Sequence, residues 1–417
     1  MRALHLVAAL PVLVAVAPSS SSDKAKSGQE PQRRWTIFAD EVYTSAGRMV
    51  ADGTVVVNGA KIALVGVGRE ETSDKELLKV HAVTPGLIDA SVHILNDARS
   101  VEQSSEVSPA VRVAGGFDPY AIEWDRELRS GVTTVLLNAP DYDVIGGLGV
   151  VVKTGGPETL EKRVVRPDAV LRGAMGSQPS AGNHPAFGRP TDFYSRRPTT
   201  RMGVEWEWRK AFYDAAASRG DAKRAYPGSD VVLRALAGEL TLSVQAWTTQ
   251  DIRTAVFLKE ELERELGGHP RMIIDSAAEA WKEPELLVRS KVSVVLPPFP
   301  PSGRTGDGAF MAWNVARLLR DRGVPVALSS HGLPNVEDRL PMQAAYAMRG
   351  GLDFDAALEA VTIAPARMLG VENRVGSIEV GKDADLVLWN GTPFEPGSRV
   401  VGVILDGVLK MDPRPQE

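Results

Sequence analysis

The sequence predicts an α/β fold: a (β/α)8 barrel with a small β-sandwich domain formed by both chain ends. Three observations predict it. The apolar period switches repeatedly between strand and helix through the middle of the chain, hairpin signals recur at both ends, and no glycine-rich nucleotide loop follows a strand. An open doubly wound sheet is the competing arrangement, and it would be expected to carry such a loop.

Residues 1–17 read as a secretory signal peptide. Arg2 supplies a short basic start, residues 3–16 are apolar apart from His5 and Pro11, and Ala15-Val16-Ala17 fits a small-x-small cleavage site. An uncleaved anchor is the alternative, but the apolar run falls short of the roughly 18 to 20 residues that a bilayer span requires. Residues 18–34, rich in Ser, Lys and Gln, read as a flexible linker. The expected location is therefore periplasmic or extracellular, with no membrane span after cleavage. The chain has no cysteine, so disulfides and thiolate metal sites are unavailable to an exported protein, which must rely on core packing.

Short β-rich runs at 35–42, 53–58 and 61–67 follow, the last two joined by the turn pair Asn58-Gly59. A matching pattern returns at 385–389, 400–405 and 408–410, with Asp406-Gly407 as the second turn pair. Together the ends predict one composite sandwich over 35–84 and 371–417, leaving 85–370 for the barrel. Two unrelated hairpins is the other reading.

Inside the barrel, 119–130 has Pro at its start and Gly131 beyond its end, as a helix should, and 132–138 reads as a strand. A strand at 240–245 leads to a helix over about 250–266, opened by Thr248 with Asp251 three residues on and closed by Gly267-Gly268. Strands at 271–274, 292–296 and 325–328 alternate with helices at 279–289 and 309–320, and helices at 339–348 and 354–361 complete the series. Residues 155–227 interrupt the alternation with Pro, Gly, Arg and Ser and read as a long insertion over the barrel mouth. Arg189, Arg196, Arg197 and Arg201 lie in it and could meet an anionic group, although loop arginines are commonly solvated or paired.

Length and composition fit this picture. The 417 residues suit a large barrel with an accessory domain, and 43% hydrophobic with 24% charged residues is ordinary for a globular protein. A net charge of -5 leaves no basic footprint, so nucleic acid is not an expected partner.

The most telling stretch is 83–93, Val-Thr-Pro-Gly-Leu-Ile-Asp-Ala-Ser-Val-His, an apolar strand ending in a polar tip on which Asp89, Ser91 and His93 share one face. It resembles the first-strand segment of the amidohydrolase superfamily, close to its secreted, imidazolonepropionase-like members. The closing segments Thr362-Ile363-Ala364-Pro365-Ala366-Arg367-Met368-Leu369-Gly370 and Gly381-Lys382-Asp383-Ala384-Asp385-Leu386-Val387 are similar to the family's C-terminal signature, and Gly131-Val132-Thr133-Thr134-Val135 to an internal strand motif.

The resemblance implies a barrel plus a sheet domain and a metal-ligand map: His-x-His after strand one, a carboxylated Lys or a Glu after strand four, His after strands five and six, and Asp after strand eight. Laid on this chain, the map meets Ser91 and His93, then Arg172 near strand four, Gln245, Ser276 with Asp275 beside it, and His331. Hydroxyls and a carboxamide are poor zinc donors, so the family's binuclear centre is not expected. The cofactor expectation is none, or a single zinc or iron ion on His93, His331 and Asp275. That trio requires a strand end or bulge to turn Asp275 inward, because Asp275 and Ser276 face opposite ways on a strand. A metal-free alternative makes Ser91 a nucleophile with His93 or His331 as base.

Two functions follow. One is a hydrolase of non-peptide C–N bonds, in an amide or cyclic amide, with an altered, at most mononuclear site in which His331 and His93 carry the reaction. The other is a catalytically inactive binding or partner subunit. Ser91, Gln245, Trp247, Ser276 and Arg201 are the candidate substrate contacts, and Trp281 a further aromatic wall. The expected partner is a small amide-like molecule, with a homo-oligomer or pairing with an active homologous barrel as the protein-level arrangements.

Overall fold

A computed structural model describes residues 34–68, 76–93, 105–157, 159–181, 197–300, 306–308, 310–333, 335 and 339–414. The signal-peptide and linker expectations for 1–33, and Arg189 and Arg196, lie outside these residues. Among the described residues no helix is long and apolar enough to cross a membrane.

The two chain ends share a seven-stranded sheet. Its strands are β1 (Arg34–Val42), β2 (Val50–Asn58), β3 (Lys61–Val67) and β4 (Leu77–Pro85) from the start, and β13 (Leu386–Trp389), β14 (Val400–Leu405) and β15 (Val408–Met411) from the end. They run in the order β15-β14-β13-β4-β1-β2-β3. β1 and β4 pair in parallel and the other neighbours antiparallel, with Asp406 and Gly407 turning between β14 and β15 at positive φ. Ile37, Val55, Leu78, Leu386 and Ile404 form its buried centre.

The second sheet has eight strands: β5 (Leu87–Val92), β6 (Val132–Leu137), β7 (Ile145–Lys153), β8 (Val164–Ala174), β9 (Thr241–Gln245), β10 (Arg271–Asp275), β11 (Ser293–Leu296) and β12 (Val326–Leu328), in chain order around the ring. A bridge between Val92 and His331 joins β5 to the end of β12 and nearly closes the barrel. The helices are α1 (Ile122–Arg129), α2 (Leu160–Arg163), α3 (Gln178–Ala181), α4 (Arg201–Ser218), α5 (Ser229–Leu236), α6 (Thr249–Leu266), α7 (Pro284–Arg289), α8 (Val315–Asp321), α9 (Leu340–Arg349), α10 (Phe354–Ala360) and α11 (Ile363–Leu369). Leu242, Val244, Ile274 and Val294 bury their strands' outer faces in one cluster with Ala255, Val256 and Leu258 of α6.

Two features correct the sequence reading. β7 runs antiparallel to both neighbours, so the ring departs from a strict β/α repeat there. β8 lies within 155–227, which is therefore not one irregular insertion: it holds a barrel strand and the 18-residue helix α4. Pro167 and the charges Arg166, Asp168 and Arg172 masked the β8 pattern, yet the strand's end, 169–174, is wholly buried. The helix expected over 279–289 is split into a 3₁₀ turn, Ala280–Lys282, and α7, because Pro284 starts a new first turn.

Gly86 is the only residue between the last sandwich strand and the first barrel strand. A Cβ there would lie 2.0 Å from Thr133 Oγ1, and its N–H donates to Asp385 O at 2.8 Å, so the two sheets approach too closely for a side chain. Lys153, at the end of β7, reinforces this joint: its buried ammonium meets Asp385, Asp383 at 3.2 Å and Asp406 at 3.3 Å.

Candidate active site

The strand ends bring seven polar side chains together. Arg172 on β8 and Ser243 on β9 are parallel partners and face inward, with Arg172 Nη1 donating to Ser243 Oγ at 2.8 Å. Arg172 therefore sits on the fourth barrel strand, where the ligand map met it. Its Nε donates to Asp141 Oδ1 at 2.8 Å, and its Nη2 lies 2.7 Å from Asp141 Oδ1 and 2.6 Å from Asp275 Oδ2. Nη2 has no aligned hydrogen bond, so charge rather than N–H direction holds that nitrogen between the two carboxylates.

Asp275 ends β10 level with Gln245 and faces the interior without any bulge. It accepts from Ser91 Oγ at 2.7 Å and from the Ser276 N–H at 2.7 Å, and lies 3.5 Å from His331 Nε2. The sequence map had placed Ser276 inward and required a distortion to turn Asp275. The register reverses this: Asp275 takes the inward position, and Ser276 turns the chain at φ 58°. Burial alone would raise the Asp275 carboxyl, but the Arg172 guanidinium, the His331 contact and the Ser91 hydroxyl hold it well below the usual carboxylate range.

The two histidines stand on opposite sides of the guanidinium's partners. His93 Nε2 is 3.5 Å from Asp141 Oδ2, His331 Nε2 is 3.5 Å from Asp275 Oδ1, and the two rings meet edge to face with centroids 5.9 Å apart. Burial pushes the His93 pKa down; Asp141 opposes that shift, while Arg172 and His331 reinforce it. Trp247, just past β9, packs edge-on to His331 at 6.4 Å, so this aromatic does line the site. Trp281 sits farther out, its Nε1 donating to Phe310 O at 3.1 Å.

Asp89, a residue the sequence reading left without a role, clasps the barrel seam. It accepts from Ser91 N (3.1 Å), Ser329 Oγ (2.6 Å), Ser330 N (2.7 Å) and Ser330 Oγ (2.6 Å), tying β5 to the turn that carries His331. Ser329 Oγ in turn receives the His331 N–H at 2.9 Å. Complete burial raises the Asp89 pKa against the pull of these bonds. The serine pair Ser329-Ser330 before His331 was the available signal.

Arg201 opens α4 and is taken up by Asp251 at 2.9 Å and Asp307 at 3.1 Å, a structural ion pair at the start of the helix. Several buried atoms of the site have no hydrogen-bond partner in the protein: His93 Nδ1, Asn138 Oδ1 and Gln245 Oε1. They offer a polar ligand both donors and acceptors.

The donor set does not fit a divalent metal as arranged. Among the described residues no three His, Asp or Glu side chains are grouped to hold an ion, so the neighbouring His93, His331 and Asp275 do not form the expected ligand set. One Asp275 oxygen is taken by Ser91 and Arg172, and a fixed positive charge already sits between the carboxylates.

Comparisons with known proteins agree with the architecture. The sequence profile of the amidohydrolase family matches residues 310–410. The amidohydrolase tasK of Hapsidospora irregularis is 26% identical over 377 residues, covering 79% of this chain and 36% of that protein. The imidazolonepropionase of Thermoplasma acidophilum is 36% identical over 86 residues, 20% of this chain and 21% of that one. The chain thus spans about a third of the fungal relative's length, and its match to the imidazolonepropionase about a fifth. An amidohydrolase structure from Thermotoga maritima superposes with a TM-score of 0.79 at 27% identity, covering 90% of this chain and 99% of that one. The barrel, the composite sheet and these matches agree, and the chain belongs to the amidohydrolase superfamily.

Proposed function

We propose that this protein is a metal-independent member of its superfamily that binds an amide-like small molecule at the barrel mouth without hydrolysing it, acting as a binding or partner subunit. One observation carries the reading: the Arg172 guanidinium lies buried between Asp141 and Asp275, where hydrolysis by a metal-bound hydroxide would need a divalent ion. The unpartnered atoms of His93, Asn138 and Gln245 support a polar ligand, and Trp247 gives it an apolar wall. Pairing with an active homologous barrel is part of this proposal. Export, argued from residues 1–17, belongs to the same proposal, and cell fractionation tests it.

A second reading rests on the two His–Asp pairs. With Nε2 of each imidazole 3.5 Å from a carboxylate oxygen, His93 and His331 are placed as a base and an acid for a metal-free hydrolysis of an amide. Turnover separates the two. Purified protein is incubated with a panel of linear and cyclic amides, and binding of the same compounds is followed calorimetrically. Binding without turnover supports the first reading, whereas hydrolysis abolished by His93→Ala or His331→Ala establishes the second.

A further inference from the structure

We propose that Arg172 is a tethered cation that keeps divalent metals out of this barrel, and that removing its side chain opens a zinc site formed by His93, Asp141, Asp275 and His331. The inference rests on the metal-independent reading above and adds a cause for it.

The geometry points this way in three respects. First, the acids and imidazoles already form two ligand pairs. His93 Nε2 to Asp141 Oδ2 and His331 Nε2 to Asp275 Oδ1 are each 3.5 Å apart. Zinc bonds of roughly 2.0 to 2.2 Å in a tetrahedron separate neighbouring donors by about 3.3 to 3.6 Å, so each pair is spaced as one edge of such a site. Second, the two carboxylates turn their other oxygens to a single point. Arg172 Nη2 is 2.7 Å from Asp141 Oδ1 and 2.6 Å from Asp275 Oδ2, so a cation at that point touches one carboxylate from each pair through the oxygen that does not face the imidazole. Drawing these two oxygens onto zinc requires a contraction of about 0.5 Å on each side, and the imidazoles, which face the opposite oxygens, must turn toward the same ion. Third, the guanidinium is anchored on the far side by Ser243 Oγ at 2.8 Å and its side chain is 1% exposed, so it cannot swing out to admit an ion. Metal and guanidinium compete for the same carboxylates, and the tethered one holds the place. With Arg172 in place, no three His, Asp or Glu side chains among the described residues are grouped to hold an ion.

The serines also fall into place. Ser91 spends its hydroxyl on Asp275, holding the carboxylate that faces the guanidinium, and so acts here as a positioning residue.

The test is a zinc titration by calorimetry, with metal content after dialysis measured in parallel, on wild type, Arg172→Ala, Arg172→Lys and the double variant Arg172→Ala with Asp275→Asn. Arg172→Ala is expected to take up one zinc ion per chain, with affinity raised about 100-fold or more over wild type, the effect of removing one positive charge a few ångströms from the ion. Arg172→Lys keeps the charge and is expected to stay metal-free. Loss of the Asp275 carboxylate is expected to weaken zinc binding by Arg172→Ala at least about tenfold. A folded Arg172→Ala with no more affinity for zinc than wild type overturns the inference and leaves the metal-independent reading standing. Stoichiometric zinc in wild type overturns both. Should Arg172→Ala be unfolded in metal-free buffer, recovery of the native circular-dichroism spectrum on adding equimolar zinc supports the inference, and failure to recover refutes it.

Discussion

Lys153→Met should be the most damaging single change outside the barrel mouth. The Lys153 ammonium is 2% exposed at the joint between β7 and the strands from the chain's end, surrounded by Asp383, Asp385 and Asp406. Burial by itself would lower its pKa, but Asp385, Asp406 and Asp383 together hold it raised, so the lysine stays charged. Methionine keeps much of the volume and removes the charge. Breaking a buried pair from one side costs about 3–5 kcal/mol, because the partner is left uncompensated. The three carboxylates are not equally affected. Asp383 retains Lys61 at 2.7 Å and Arg374 at 2.8 Å, and Asp406 is 38% exposed. The cost therefore falls chiefly on Asp385, whose remaining partner is the Asp406 N–H at 2.9 Å, and the expected loss is about 3 kcal/mol, at the lower end of that range. Urea unfolding followed by tryptophan fluorescence measures it. Adding Asp385→Asn should recover about half of the loss, with a coupling of about 1–2 kcal/mol in the double-mutant cycle. A Lys153→Met protein within about 0.5 kcal/mol of wild type, as for an ordinary surface substitution, would refute the reasoning.

Further outcomes follow from single residues. Glu127 on α1 is raised from an ordinary 4.5 to about 8, first by burial and then by the nearby Asp89 carboxylate. A raised acid favours the protonated folded state, so its contribution is fully present below about pH 4.5 and is lost as pH rises through about 8. Glu127→Gln should therefore be more stable than wild type at pH 8 and show a flatter loss of melting temperature between those values; equal slopes for the two proteins would contradict this. Gly173→Ala puts a Cβ 2.2 Å from Val144 O and 2.5 Å from the Trp208 ring, and overpacking of this kind should cost about 1–3 kcal/mol in chemical denaturation; an unchanged urea midpoint would show that β8 can yield. Thr248→Ala removes the cap that accepts from Asp251 N at the start of α6, for about 1 kcal/mol by the same assay, while Thr248→Ser should retain most of it; equal losses for the two variants would argue against the capping role.

Much of this architecture was legible because local chemistry and tertiary demand agree. Asp406-Gly407 is a turn pair whose conformation matches its sequence, the turn expected at Asn58-Gly59 falls one residue on at Gly59-Ala60 with Gly59 at positive φ, and Thr248 with Gly267 bounds α6 at both ends. The strand Leu87–Val92 announced itself by its apolar length, and its polar tip does point into the site. β8 was not legible, because its one functional side chain, Arg172, looks like a surface residue in a one-dimensional pattern. Only the pairing with Asp141 and Asp275, 31 residues before it and 103 after it, makes a fully buried arginine tolerable. Asp275 was misjudged for a related reason. Placing the ligand position on Ser276 put the register one residue late, and the direction of a carboxylate at a strand end depends on that single step.

The central claim is that this barrel works without a bound metal because Arg172 supplies the positive charge at its centre. Equilibrium dialysis of the wild-type protein against zinc, followed by elemental analysis, tests it most directly. The account predicts well under one ion per chain, unchanged in a His93→Ala, His331→Ala double variant. One tightly held ion per chain that disappears in that variant would contradict it.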